Sequence, residues 1–272
     1  MSDGIRFRSL DDVCASETAN QKIVEVSDWI AQCVNRHAES QSRHRNIEGT
    51  AKTNMIQATT TRLHIAPVDH RPTICHVIHA LGVGGAEVLV DQMLRLLSNE
   101  FRCVVAVLDE IGDIGERLQR DGFLVKPLNR QPGIDRGCAK RLREFADQEG
   151  AEILHAHQYT PFFQSMLSRG LFGRRPVVFT EHGRHFPDHP SRKRAAVNRL
   201  LLRNCDRLFG CGGAVRQALI DNEGLPESRV EVIYNGVDLA SLSKPTPEAS
   251  EHIRREFHFA RTDFVAILIA RL

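Results

Sequence analysis

The sequence predicts an α/β protein built on a doubly wound, Rossmann-like parallel sheet. Three observations predict it. Short apolar runs alternate with amphipathic stretches from residue 72 to about 238. The runs are apolar throughout rather than alternating, which is how strands buried on both faces read. The stretches between them are long enough for helical crossovers, and right-handed crossovers wrap helices on both faces of such a sheet.

The elements follow in order. Residues 74–80 (ICHVIHA) form the first strand, and the glycine-rich turn Gly82-Val83-Gly84-Gly85-Ala86-Glu87 leads into a helix to about Ser98. Leu89, Met93, Leu96 and Leu97 recur on one face of that helix. Residues 101–108 are a second strand, 113–121 a helix and 123–128 a third strand. A helix over 135–149 turns Leu142, Phe145 and Ala146 inward, and the strand 152–157 then ends in histidines. The helix 161–170 has Pro161 near its start, where a missing N–H is tolerated. Strand 176–180, helix 191–204, strand 206–210, helix 214–223 and strand 229–234 complete the series.

The flanks read differently. Residues 1–71 form an N-terminal extension with one helix around 20–36, where Ile23, Val26, Ile30 and Val34 share helical spacing, followed by a linker. Met55 precedes the regular part, and 1–54 read as an extension without function. Residues 239–272 begin as a Ser/Pro linker, continue as a helix over 248–257 and end in an apolar run, 264–270, that reads as the first strand of a further unit.

Composition narrows the function. The 272 residues carry 36 Lys and Arg against 34 Asp and Glu, a net charge of +2, which argues against a dedicated nucleic-acid binder. No apolar run approaches the roughly 18–20 residues that span a bilayer. The first residues lack the apolar core of a secretory signal. The seven cysteines are scattered without a CxxC pair, so they read as free thiols, mostly small core fillers, in a reducing cytoplasm.

In a doubly wound sheet ligands sit at the carboxyl ends of the strands. The turn at 82–87 offers backbone N–H groups and a helix N-terminus to an anion. It resembles half of a dinucleotide GxGxxG, but the third glycine position is Glu87, whose charge opposes a pyrophosphate. Asp109 after the second strand suits a ribose. His155 and His157 are two apart on one strand and face one side, so both rings line one wall. A neutral imidazole there can accept a proton or bind a hydroxyl. Thr180-Glu181-His182-Gly183-Arg184-His185 follows the next strand and brings Glu181, His182 and Arg184 toward the same crevice. The His and Glu density permits a metal, but no HExxH is present and no metal is expected. Arg192, Lys193, Arg194, Arg199, Arg203 and Arg207 give one helix a basic face, read as solvated or as a contact to an anionic acceptor or membrane surface.

Together these motifs resemble glycosyltransferase family 4. The resemblance rests on GGAE (Gly84 to Glu87), HAHQ (155–158), TEHG (180–183) and IYNGVD (233–238), in that order and each at a strand's carboxyl end, and it covers about 74–272. It implies the N-terminal half of a GT-B architecture, with 72–238 as the acceptor-side domain. It implies sugar transfer from a nucleotide-sugar to a glycan, lipid or small-molecule acceptor, as in polysaccharide biosynthesis, with retention of configuration and no cofactor. By resemblance His157 is the catalytic histidine beside the transferred sugar, Gly84 and Gly85 border the donor diphosphate, and His155, Glu181, His182 and Arg184 lie on the acceptor side. The family pattern continues past the end of this sequence into a donor-binding domain, so the 272-residue chain is expected to be inactive alone. A cytoplasmic protein, peripheral to the inner face of the membrane, fits this reading. Two alternatives stay open. One is a non-catalytic binding module that pairs with a separate domain. The other is an NAD(P)-dependent oxidoreductase or epimerase, which lacks its third glycine at 87 and a Tyr/Lys pair around Tyr159 or Tyr234.

Overall fold

The structure is a computed structural model and describes residues 71–170, 173, 175–183, 189–236 and 246–267. The expected helix at 20–36, the linker before residue 71 and the reading of Met55 lie outside the described residues. The chain divides into two compact units at Asn235 and Gly236.

The first unit carries seven strands: β1 (Thr73–Ile78), β2 (Arg102–Val107), β3 (Leu124–Pro127), β4 (Ala151–His157), β5 (Val177–Glu181), β6 (Arg207–Gly210) and β7 (Val230–Val232). They form one parallel sheet in the order β3-β2-β1-β4-β5-β6-β7. Six helices connect them: α1 (Gly85–Leu97), α2 (Gly112–Arg120), α3 (Arg136–Gln148), α4 (Tyr159–Ser168), α5 (Arg192–Leu201) and α6 (Gly213–Glu223). The strand order reverses between β1 and β4, the switch point where such sheets bind ligands.

Two cores flank the sheet, as a parallel sheet requires. Cys75 and Val77 of β1 pack with Leu142 and Phe145 of α3, Phe162 and Met166 of α4 and Leu219 of α6. Ile74 and Ile78 of the same strand pack the other way, with Val90 and Leu94 of α1 and Ile114 and Leu118 of α2. The period of two along the strand sorts these side chains. Cys75, Cys103 and Cys138 are buried free thiols, as small core fillers should be, whereas Cys205 is exposed.

Two loops at the carboxyl edge touch closely. Gly112 starts α2 with φ 61°, and a Cβ there would lie 2.7 Å from the Gly82 nitrogen and the Leu81 oxygen. Only glycine combines that dihedral with that approach. The Leu81 carbonyl accepts from the amides of Ile114 and Gly115 at 3.0 and 3.2 Å, so the turn after β1 caps the helix after β2.

The second unit contains α7 (Pro247–Glu256), with Thr246 as its N-cap, the Oγ1 accepting from the Ala249 amide at 3.1 Å. The expected strand at 264–270 is corrected in part. Residues 264–267 are not in a strand, Phe264 and Ile267 are exposed, and 268–270 lie outside the described residues. An apolar run becomes a strand only where a neighbour completes its hydrogen bonds, and no ladder pairs with residues 264–267. Among the described residues no helix is long and apolar enough to cross a membrane.

Candidate functional site

The carboxyl edge of β1, β4 and β5 gathers four histidines. His76 lies on β1, His155 and His157 on β4, and His182 just after β5. Register brings them together, because His76 pairs with His155 across the β1–β4 ladder and His157 pairs with Thr180 across β4–β5. Since residues two apart share a face, His76, His155 and His157 all turn to the side of Ile74 and Ile78.

The rings form a ladder. His76 Nδ1 lies 3.1 Å from His157 Nε2, and His157 Nδ1 lies 3.0 Å from His182 Nε2. The paired rings are close to parallel, with interplanar angles of 9° and 19°. His155 packs 4.2 Å from the His157 ring and bonds through Nε2 to Thr180 Oγ1 at 2.9 Å. His76, His155 and His157 are each 0% exposed, whereas His182 is half-buried. Burial therefore holds all four rings neutral. It pushes His76 down to about 3 and His182 to about 4, and lowers His155 and His157 well below the usual imidazole range, with neighbouring imidazoles adding to the shift.

His157 is thus not at the surface of the site. It stands behind His182, with both nitrogens engaged. Three buried ring nitrogens have no partner: His76 Nε2, His155 Nδ1 and His182 Nδ1. His76, His155 and His157 each place a nitrogen within 4.8 Å of the others, close enough for a metal. A tetrahedral ion needs a free lone pair on each ring at about 2.0–2.1 Å. Both nitrogens of His157 are instead taken by imidazole neighbours, so the geometry present is a hydrogen-bonded ladder.

Glu181 does not join the ladder. It is the next residue after Thr180 on β5, so it turns to the opposite face. Burial raises its carboxyl to about 7, partly offset by the amides of Gly183, His182 and Tyr159. Its Oε1 accepts from the Gly183 amide at 3.3 Å, and its Oε2 has no partner. Arg184 lies outside the described residues.

The glycine turn lies at the same edge. Gly84 precedes α1 in extended backbone, and a Cβ on it would meet the Glu87 carboxylate. Glu87 thus folds back over the positive end of the helix, where a negative charge is favoured. Added Cβ atoms at Gly82 and Gly85 would meet open space. Asp109, the expected ribose ligand of a dinucleotide, is already held. Arg130 grips both its oxygens, at 3.0 and 3.1 Å, and His79 Nε2 stands 2.6 Å from its Oδ2.

Between His157 and α4, Gln158 adopts φ 72° and ψ 167°. That region is essentially reserved for glycine and costs about 1–3 kcal/mol elsewhere. The amide of Gln158 donates to the Thr180 carbonyl at 2.9 Å, and its own carbonyl accepts from Phe162 at 3.2 Å. The turn that delivers His157 to the edge is therefore held against its backbone preference.

Sequence reading missed His76, although a signal existed. A polar residue in the middle of an apolar strand, on the same face as Ile74 and Ile78, is the informative exception to the hydrophobic rule.

A family model described as Glycosyltransferase Family 4 matches residues 83–241, more than half of the chain. The chain belongs to glycosyltransferase family 4. Among solved structures, a glycosyltransferase from Rickettsia africae matches with a TM-score of 0.57 at 20% identity, over 71% of this chain and 51% of that one. Anabaena HepE (Alr3699), solved with UDP and with UDP-glucose, matches with a TM-score of 0.56 at 20% identity, over 68% of this chain and 50% of that one. At that identity the likeness concerns the fold, and this family 4 chain spans about half the length of the structures it matches. No curated protein matches the chain.

Proposed function

We propose that residues 72–238 serve as the acceptor-side lobe of a glycosyltransferase that moves a sugar from a nucleotide-sugar to a glycan, lipid or small-molecule acceptor. The single observation that carries this is the imidazole ladder ending in half-buried His182 at the switch point, beside the glycine turn. Family membership and the UDP-glucose complex of HepE support a nucleotide-sugar as donor.

The chemistry suits the residues. In transfer, the bond from the sugar C1 to the diphosphate breaks, a bond from C1 to an acceptor hydroxyl forms, and that hydroxyl gives up its proton. Fixed neutral donors at a water-poor edge stabilise the charge that develops, without reorganising during the reaction. His182 is the one ladder member that is not fully buried, its Nε2 bonded to His157 and its Nδ1 turned inward, so in this reading the ligand meets its ring edge. His157, expected as the catalytic residue, acts from behind it. Gly84 and Gly85 would border the donor diphosphate through their backbone.

The test is a titration of the full chain with small glycosides and with UDP-glucose, reading the His182 ring signals by NMR and UDP release by coupled assay. Glycosides should shift the His182 signals, and His182→Ala should remove that binding. Ring signals that stay fixed with every glycoside and with UDP-glucose would overturn the reading.

The peripheral membrane contact is a separate part of this proposal. Arg192, Lys193 and Arg199 are exposed on α5, and a groove of about 730 Å³ beside its end is lined by Arg136, Lys140, Arg143, Leu200 and Arg203. Cations over apolar side chains suit anionic lipid. Sedimentation with phosphatidylglycerol vesicles, and not with phosphatidylcholine vesicles, is the expected outcome. Equal recovery with both would remove it.

A further inference from the structure

We infer that His79, just past β1, is a further substrate-binding residue, which Asp109 holds in the form whose Nδ1 lone pair accepts a hydroxyl of the sugar acceptor. This rests on the proposed function only for the identity of that hydroxyl. The state of the ring is a property of the free chain.

Three strand ends build the group. His79 stands after β1, Asp109 after β2 and Arg130 after β3, on neighbouring strands of the sheet. Backbone bonds tie these ends together. The Asp109 amide donates to the His79 carbonyl at 2.9 Å, the Arg130 amide to the Leu108 carbonyl at 2.8 Å and the Leu81 amide to the Glu110 carbonyl at 3.2 Å. The side chains are therefore placed by the sheet, and a binding group works best on such a rigid support.

Asp109 decides the state of the ring. The Arg130 guanidinium donates to both carboxylate oxygens, from Nε at 3.0 Å and from Nη2 at 3.1 Å. His79 Nε2 lies 2.6 Å from Oδ2. A carboxylate gripped by a guanidinium only accepts, so the imidazole nitrogen facing it is a donor. The neutral ring has one N–H and one lone pair, and with the N–H on Nε2 the lone pair is on Nδ1. In the ladder, by contrast, His157 has imidazoles on both sides, and an imidazole nitrogen can donate or accept.

Nδ1 is open. His79 has 39% of its side chain exposed. Among the described residues its Nδ1 has no partner, and it is not one of the buried orphan nitrogens, which among the histidines are His76 Nε2, His155 Nδ1 and His182 Nδ1. The lone pair therefore meets solvent. The glycine turn follows on the same segment, and an added Cβ at Gly82 would meet nothing within 4 Å.

The lone pair selects its ligand. It takes an O–H and turns away carboxylate and phosphate oxygens, which bring lone pairs of their own. A sugar hydroxyl at the carboxyl edge, where doubly wound sheets bind ligands, meets that requirement. Arg130 does not reverse the preference. Its charge is matched by Asp109, and its Nη1 lies 3.5 Å from the Gln131 carbonyl.

The test is a long-range 1H–15N correlation on the full chain, histidine-labelled, at pH 8. Without ligand, His79 should be neutral with its proton on Nε2. Methyl glucoside should move the His79 Nδ1 signal, and inorganic phosphate should leave it in place. His79→Phe, which keeps the Arg130–Asp109 pair, should weaken methyl glucoside binding about 3–10-fold, the worth of one neutral hydrogen bond. The first readings use the unaltered chain and stand whether or not this variant folds. A proton on Nδ1 at pH 8, a signal moved by phosphate, or unchanged affinity in the Phe variant would overturn the inference. So would a His79 signal unmoved by methyl glucoside, and if the His182 signals move in that same titration the proposed function still stands. Movement at His79 alone keeps the inference and removes the role given to His182.

Discussion

The two edges of the sheet both bury polar side chains, and they do so in opposite ways. At the amino edge, Arg169 from the end of α4 meets Asp206 just before β6, the pair 5% and 0% exposed. Asp206 accepts a weaker bond from the Cys205 thiol at 3.9 Å and four bonds from nitrogen donors. Arg169 supplies two of them, and the amides of Val177 and Arg203 supply the others at 3.0 and 2.7 Å. Arg169 also donates to the carbonyls of Arg175 and Leu201 at 3.3 and 3.1 Å, leaving only its Nε without a partner. At the carboxyl edge, the imidazole ladder is neutral and unfinished, with ring nitrogens unpartnered at both ends. A network satisfied at all but one atom fastens elements together. An incomplete one is tolerated where a ligand can finish it.

The largest expected effect separates the edges by pH. Each buried imidazole has its folded pKa below the unfolded value, so its contribution is present above about pH 6.5 and is lost as pH falls toward the folded value. Each ring that stays neutral while its unfolded counterpart titrates contributes about 1.4 kcal/mol per pH unit. Glu181 acts the other way between about 4.5 and 7, because its folded pKa is raised and its contribution is lost as pH rises. Burial raises the carboxyls of Glu152 and Glu223 as well, and these three carboxyls against four more strongly shifted imidazoles leave a net loss of stability on acidification. Urea midpoints measured from pH 7 to 4.5 should fall steadily, and a flat profile would break the contrast between the edges.

The amino edge is tested by Asp206→Ala, which leaves the Arg169 guanidinium buried without its carboxylate. Urea denaturation should report a loss of about 3–5 kcal/mol. The ring signals of His76, His157 and His182 in whatever folded fraction remains should be unchanged. A loss below 1 kcal/mol would show that this edge is not the fastening one.

The smallest effect sharpens the carboxyl edge. Gln158→Gly releases a backbone held at φ 72° and ψ 167°, while adding freedom to the unfolded chain. The balance should stabilise the protein by about 1 kcal/mol in denaturant melts. It should also loosen His157, read as broadened ring signals. Destabilisation would mean the Gln158 side chain holds the turn by contacts that outweigh the strain.

Much of the fold was legible. The alternation of apolar runs and amphipathic stretches marks every strand from β1 to β7 and every helix of the first unit to within a few residues. The run misled over residues 264–267, since apolar character alone does not supply a ladder partner. The site was legible in part. His155, His157 and His182 announce themselves at strand ends, whereas His76 hides in mid-strand, and Glu181 looks like their neighbour although the pleat turns it away. The basic helix was also misread in one respect. Arg194 faces inward and pairs with buried Glu223, its Nε 2.9 Å from both oxygens, rather than facing solvent or an anion.

By itself the sequence determined the periods: which residues face a core, where helices begin, and which residues stand at the carboxyl edge. These are local matters, set by side-chain chemistry within a turn or a strand. Only the tertiary structure decided that β1 lies against β4 in a register that stacks His76 on His157, and that burial leaves the rings neutral. Strand order and register depend on contacts between residues some 80 positions apart, and burial depends on everything packed around them, so neither can be read along the chain.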